Sequence, residues 1–111
     1  MKALSLHQPW ASMVAMGSKT IETRTWATDY RGELLIVSTK KPELPGFPSG
    51  QALCIVKLVN CRPMIASDEA AALCKLYEGA FSWVLSEIRR IKPFHVRGQQ
   101  GLYEVELPDA Q

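Results

Sequence analysis

The chain has 111 residues, 47% hydrophobic and 22% charged, which is the balance of one ordinary globular domain over residues 1–111. A formal net charge of +2 is too small for a general attractor of nucleic acid, and no run of about 18 apolar residues offers a membrane span. The opening MKALSLHQPW has no secretory pattern, and Cys54, Cys61 and Cys74 form no C-x-x-C pair, so reduced thiols and a cytoplasmic location are expected.

Lys2 to Leu6 is a short strand with Leu4 and Leu6 on one face. Pro9 suits the first turn of a helix, because its φ is already set and its missing N–H would be unpaired there. Trp10, Met13 and Val14 follow at i, i+3 and i+4, an apolar stripe that assigns Trp10 to the core. Gly17 can take the left-handed conformation that ends the helix. Thr20 to Arg24 then alternates with β-branched residues and reads as a strand.

Asp29-Tyr30-Arg31-Gly32 has turn chemistry. Glu33 to Ser38 is apolar on both faces through Leu34, Leu35, Ile36 and Val37, so it belongs inside a sheet. Lys40 to Gly50 holds three prolines and two glycines and must be a loop. It is too long for a mere connector, which leaves a functional lid or a disordered segment. Gln51 to Asn60 is the longest strand candidate. Ser67 starts a second helix as N-cap, with Asp68 and Glu69 at its positive end, running to about Leu76.

Phe81, Trp83 and Leu85 alternate with smaller residues in a strand that puts Trp83 in the core. Period two places Glu87 on that same face. Gly98 and Gly101 bracket a turn before a final strand, Tyr103 to Leu107. Arg89, Arg90, Lys92 and Arg97 occur with no acid between them, whereas Asp68, Glu69 and Glu78 surround Lys75. The pattern as a whole predicts a mainly β (α+β) domain: an antiparallel β-barrel of about six strands with two short helices.

The residues that could carry chemistry cluster after the first helix. Glu22 and Arg24 share a strand face, and Lys19 joins them only if it is still in the turn after Gly17. A polar cleft at this junction would use Lys19 and Arg24 against an anionic or carbonyl-bearing ligand, with Glu22 accepting hydrogen bonds. The alternative is an exposed ion-pair set worth ~0–1 kcal/mol. Lys19 as a base would have to lose its charge, and Glu22 opposes that: at ~4 Å and a dielectric near 20 the attraction is on the order of 4 kcal/mol. Trp26 at the strand end is either core or a platform on which a base stacks. His7 and Gln8 lie at a strand-to-helix turn, facing a cleft or capping the helix. Only His7 and His95 could join the cysteines at a metal, so no metal or cofactor is expected.

LSLHQPWAS, GSKTIETRTW, YRGELLIVS and VRGQQGLYEVEL, in this order, resemble the ASCH domain, the activating signal cointegrator homology family. Its G-x-K-x-x-E-x-R motif is matched by Gly17, Lys19, Glu22 and Arg24. The resemblance implies a PUA-like fold, a cleft lined by the motif, and RNA or a nucleoside-like small molecule as partner. Gln8, Lys19, Glu22, Arg24 and Trp26 would then bind ligand, with Arg31, Lys40 and Lys41 reaching phosphates. Some small relatives are amidohydrolases on an acetylated cytidine, and ribonuclease activity has been attributed to others. The amidohydrolases use a Lys, a Thr three residues later and a downstream Glu. Here Glu22 stands at the Thr position and removes that hydroxyl, so binding leads. In a hydrolase, Lys19 and Glu22 would be catalytic, with Glu87 the downstream carboxylate by strand parity and Glu69 and Glu78 as alternatives.

Overall fold

The computed structural model describes residues 1–109; residues 110 and 111, the end of the expected domain, lie outside them. Among the described residues six strands form one sheet: β1 (Lys2–Leu6), β2 (Ile21–Arg24), β3 (Gly32–Ser38), β4 (Gln51–Pro63), β5 (Phe81–His95) and β6 (Tyr103–Glu104). Their spatial order is β2-β5-β4-β3-β1-β6. The helix α1 (Trp10–Ala15) lies between β1 and β2, and the one-turn helix α2 (Glu69–Ala72) between β4 and β5.

The sheet is open, which corrects the expected closed barrel. Closure needs a continuous hydrogen-bond ladder around the ring. The outermost strands cannot supply one: β6 has two residues and pairs only with β1, while β2 has four and pairs only with β5. Nor is the sheet wholly antiparallel. β1 and β3 run parallel, Ala3 opposite Leu35 and Leu6 opposite Ser38, because α1 and β2 intervene and return the chain in the same direction.

β3 shows why its sequence is apolar on both faces. Leu34 and Ile36 enter one core with Leu4, Leu6, Val56 and Leu58; Leu35 and Val37 enter a second with Ala3, Ala52 and Ile55. α1 covers the first core with Ala11, Val14 and Ala15. Its buried stripe is thus one residue on from the predicted one, and Trp10 is 38% exposed rather than in the core. A six-residue helix has too few turns for spacing alone to fix which way it faces.

β4 and β5 outrun their predicted ends. Three register shifts interrupt their pairing, and Glu87 has φ +51, a left-handed conformation unusual for a side-chain-bearing residue. Such bulges bend a ladder and raise its twist. Glu87 is consequently exposed, 3.2 Å from Lys57 Nζ, instead of facing inward with Trp83.

Between these strands, Asp68 reorganises the predicted second helix. Its carboxylate accepts from Arg62 Nη1 (2.7 Å) and Nη2 (2.9 Å), the Ile65 N–H (3.0 Å) and the Ser82 hydroxyl (2.9 Å). These donors hold the Asp68 carboxyl well below the usual carboxylate range. Asp68, not Ser67, therefore fixes the start of the turn. The helix stops at Ala72, since Leu73 has φ +56, well short of Leu76.

The thiols are free among the described residues. Cys54 is buried, and burial pushes it up to about 12, so it stays a protonated apolar filler. No helix among the described residues is long and apolar enough to cross a membrane.

Candidate functional site

The site is built where α1 ends. Gly17, at φ +82, donates to the Val14 carbonyl, and the N–H groups of Ser18 and Lys19 both donate to Met13 O. Lys19 is therefore still in the turn, as strand parity requires if it is to approach Glu22. The residue is 3% exposed. Nζ donates to the Ala72 carbonyl at the end of α2, lies 3.5 Å from Glu22 Oε1 and sits 5.5 Å from the centre of the Trp10 ring.

Glu22 is the centre of the cluster. One carboxylate oxygen faces Lys19; the other is 2.9 Å from Arg24 Nη2 and accepts from Arg24 Nε at 3.1 Å. Arg24 Nη2 also donates to the Ser5 carbonyl at 2.7 Å, which ties β2 to β1 across the top of the sheet. A carboxylate between two cations, held by hydrogen bonds on both sides, is fixed in place as an acceptor. Among the described residues no buried side-chain nitrogen or oxygen lacks a partner.

A hollow of about 630 Å³ opens beside this cluster. Glu22 and Arg24 line it together with Trp10, Trp26, His7 and Tyr77. The volume is that of a small-ligand site. Trp26 is half-buried, edge-on to Trp83 at 4.8 Å between ring centres, and its carbonyl accepts from Trp83 Nε1. Lys19 is not on this wall. It lines a separate recess of about 210 Å³ that shares Trp10, Glu22, Thr23 and Tyr77 with the main hollow. Tyr77 stands between the two and donates its hydroxyl to Thr23 Oγ1 at 3.0 Å.

The remaining predicted residues are dispersed. The Gln8 amide is engaged in architecture: Oε1 accepts from Ser12 N–H, and Nε2 donates to Ser12 Oγ and Pro48 O, each at 2.9 Å. Arg31 is exposed and donates to the carbonyls of Thr28 and Tyr30. Lys41 is exposed in the 40–50 loop, which is tied to the start of α1 by the Gln8 amide on Pro48 O and contributes no residue to the Glu22 hollow. Lys40 lines a neighbouring hollow. Glu87 lines none of these spaces. Among the described residues no group of three or more His, Cys, Asp or Glu side chains could hold a metal ion.

Trp10, Tyr77, Thr39, Gln99 and Gln100 also line the main hollow, and the spacing of the motif residues gives no sign of them. Trp10 was visible as an aromatic beside the motif. Tyr77 and the two glutamines lie more than 50 residues downstream of it and carry no local signal.

A model of the ASCH domain matches residues 4–95. The chain belongs to the ASCH domain family. The sequence is also similar to human activating signal cointegrator 1, 39% identical over 80 residues, and to the mouse protein, 38% identical over 80 residues. Each alignment covers 52% of this chain but only 14% of the relative, so this ASCH domain corresponds to a small part of those proteins. In three dimensions it is similar to the crystal structure of ASCH from Zymomonas mobilis, with a TM-score of 0.75 at 16% identity over 95% of this chain and 87% of that one. A mutant of that protein superposes with a TM-score of 0.69 at 15% identity, covering 95% and 89%. At such identities the likeness speaks for the fold alone: a mostly β sheet of six strands with two short helices.

Proposed function

We propose that this ASCH domain binds single-stranded RNA, or a nucleoside-like ligand, in the hollow beside Glu22. The observation that carries the reading is the pairing of a fixed carboxylate with aromatic walls: Glu22, held between Lys19 and Arg24, borders the same 630 Å³ space as Trp10 and Trp26. A carboxylate accepts from base amino and imino groups or from sugar hydroxyls, and an aromatic ring offers a surface for stacking. The association of the ASCH family with RNA binding supports the same reading.

Within it, Lys19 acts through Glu22. Its ammonium is engaged by Ala72 O and Glu22, so its part is to position the carboxylate. Arg24 positions the other oxygen and supplies positive charge at the rim. Gln8 supports the site at one remove, by fixing the start of α1.

The test is fluorescence anisotropy with a labelled uridylate RNA hexamer. Trp26→Ala is expected to weaken binding by about 1–3 kcal/mol, and Glu22→Gln to weaken it while the thermal melt stays cooperative. Wild-type protein that leaves the hexamer free in low salt would overturn the proposal. Catalysis is examined in the same samples. Turnover of an acetylated cytidine that disappears in Lys19→Ala would favour a hydrolase using Lys19 and Glu22 over a binder.

A further inference from the structure

A second and larger hollow, about 830 Å³, adjoins the first, and the two share Ser5, Thr39, Gln99 and Gln100 as a common wall. Their linings differ in charge. The Glu22 hollow contains a carboxylate, whereas the second has Lys40, Arg97 and His95 around it and no acidic residue. Lys40 and Arg97 are exposed, and neither is engaged by an acid among the described residues. Ser49, Thr39, Gln99 and Gln100 add neutral hydrogen-bonding groups. Two cations with neutral donors and no competing anion form a surface that suits phosphate.

The wall is firmly built. Gly98 packs so closely on β1 that a Cβ there would lie 3.2 Å from Ser5 Oγ. Ser5 Oγ in turn is 2.6 Å from the Tyr103 hydroxyl, which joins β1 to β6 beside this wall. The sequence VRGQQG supplies this wall, with Gln99 and Gln100 bordering both hollows.

We propose that the second hollow holds the sugar–phosphate backbone of the residue next to the one whose base lies beside Glu22. The ligand is then an oligonucleotide of at least two residues, not a free nucleoside. This rests on the reading that the first hollow takes a nucleoside unit.

The experiment compares wild type with the double variant Lys40→Ala/Arg97→Ala and with Arg89→Ala, whose side chain lines neither hollow. Anisotropy with the labelled uridylate hexamer is measured over a series of KCl concentrations, and calorimetry measures uridine alone. The double variant is expected to bind the hexamer about tenfold more weakly at low salt, with a log K against log salt slope smaller in magnitude by roughly 1.4, near 0.7 for each lost phosphate contact. Arg89→Ala is expected to match wild type, and uridine is expected to bind wild type more weakly than the hexamer does.

An unchanged affinity and slope in the double variant, with Trp26→Ala still impaired, would overturn this inference and leave the first hollow's role standing. Wild-type protein that fails to bind the hexamer would overturn both. Competition by a glutamate hexapeptide as strong as that by unlabelled RNA would overturn it in favour of an acidic protein partner.

Discussion

Asp68 and Glu22 are each held by an arginine, and their surroundings give them different work. Asp68 has its oxygens engaged by Arg62, the Ile65 N–H and Ser82, and it fastens the segment between β4 and β5. Glu22 keeps an open side toward a hollow. Because the Asp68 carboxyl titrates below its unfolded value near 3.9, the unfolded chain binds the additional proton in acid. Its contribution to stability is complete above about pH 5 and is lost as pH falls through the folded value. Thermal melts from pH 5 to pH 2 should therefore show a falling midpoint, with a shallower fall in Asp68→Asn. At neutral pH that substitution should destabilise by about 1–3 kcal/mol, since Arg62 is part-exposed and regains water. Equal acid sensitivity in the two proteins would remove Asp68 from the account.

At the scale of elements, the junction between α1 and β2 was the most legible part of the sequence, for a local reason. A glycine stop, a lysine still in the turn and alternating Glu22 and Arg24 need no distant partner to define their faces. The far half of β5 was illegible because it carries Arg89, Arg90, Lys92 and Pro93, which do not look like strand. β2 covers only Phe81 to Val84, so beyond that point β5 has an unpaired side where a proline is tolerated. The 40–50 loop showed its irregularity but not its anchor. That anchor is Gln8, which joins Ser12 in α1 to Pro48 in the loop. Gln8→Ala should cost about 0.5–2 kcal/mol, as loss of a helix cap does. It should also speed hydrogen exchange at Phe47 and Gly50, whose N–H groups bond within and beside the loop. Exchange unchanged there would mean that the loop holds itself.

For the molecule as a whole, the six-strand count and the core residues of β3 and β4 followed from patterning, because both strands are apolar on both faces. The open edge and the parallel pair did not, since both depend on which strands meet after long separations in sequence. Those separations also assemble the Glu22 hollow: β2, Tyr77 and the 99–101 turn come from three distant stretches. Ligand binding should thus report on the whole fold rather than on the Lys19–Arg24 stretch alone.

The pairing of β1 with β6, Lys2 opposite Glu104 and Ala3 opposite Tyr103, brings the first and last strands of the described residues side by side on one border of the sheet. A polypeptide can enter and leave such a unit through neighbouring doors, which makes it easy to splice into a larger host without prising the core apart. The order of its segments is correspondingly negotiable. A circular permutant that joins residue 109 to residue 1 by a short glycine–serine bridge, and starts afresh at Phe47, should melt cooperatively and match the wild type in the hexamer titration.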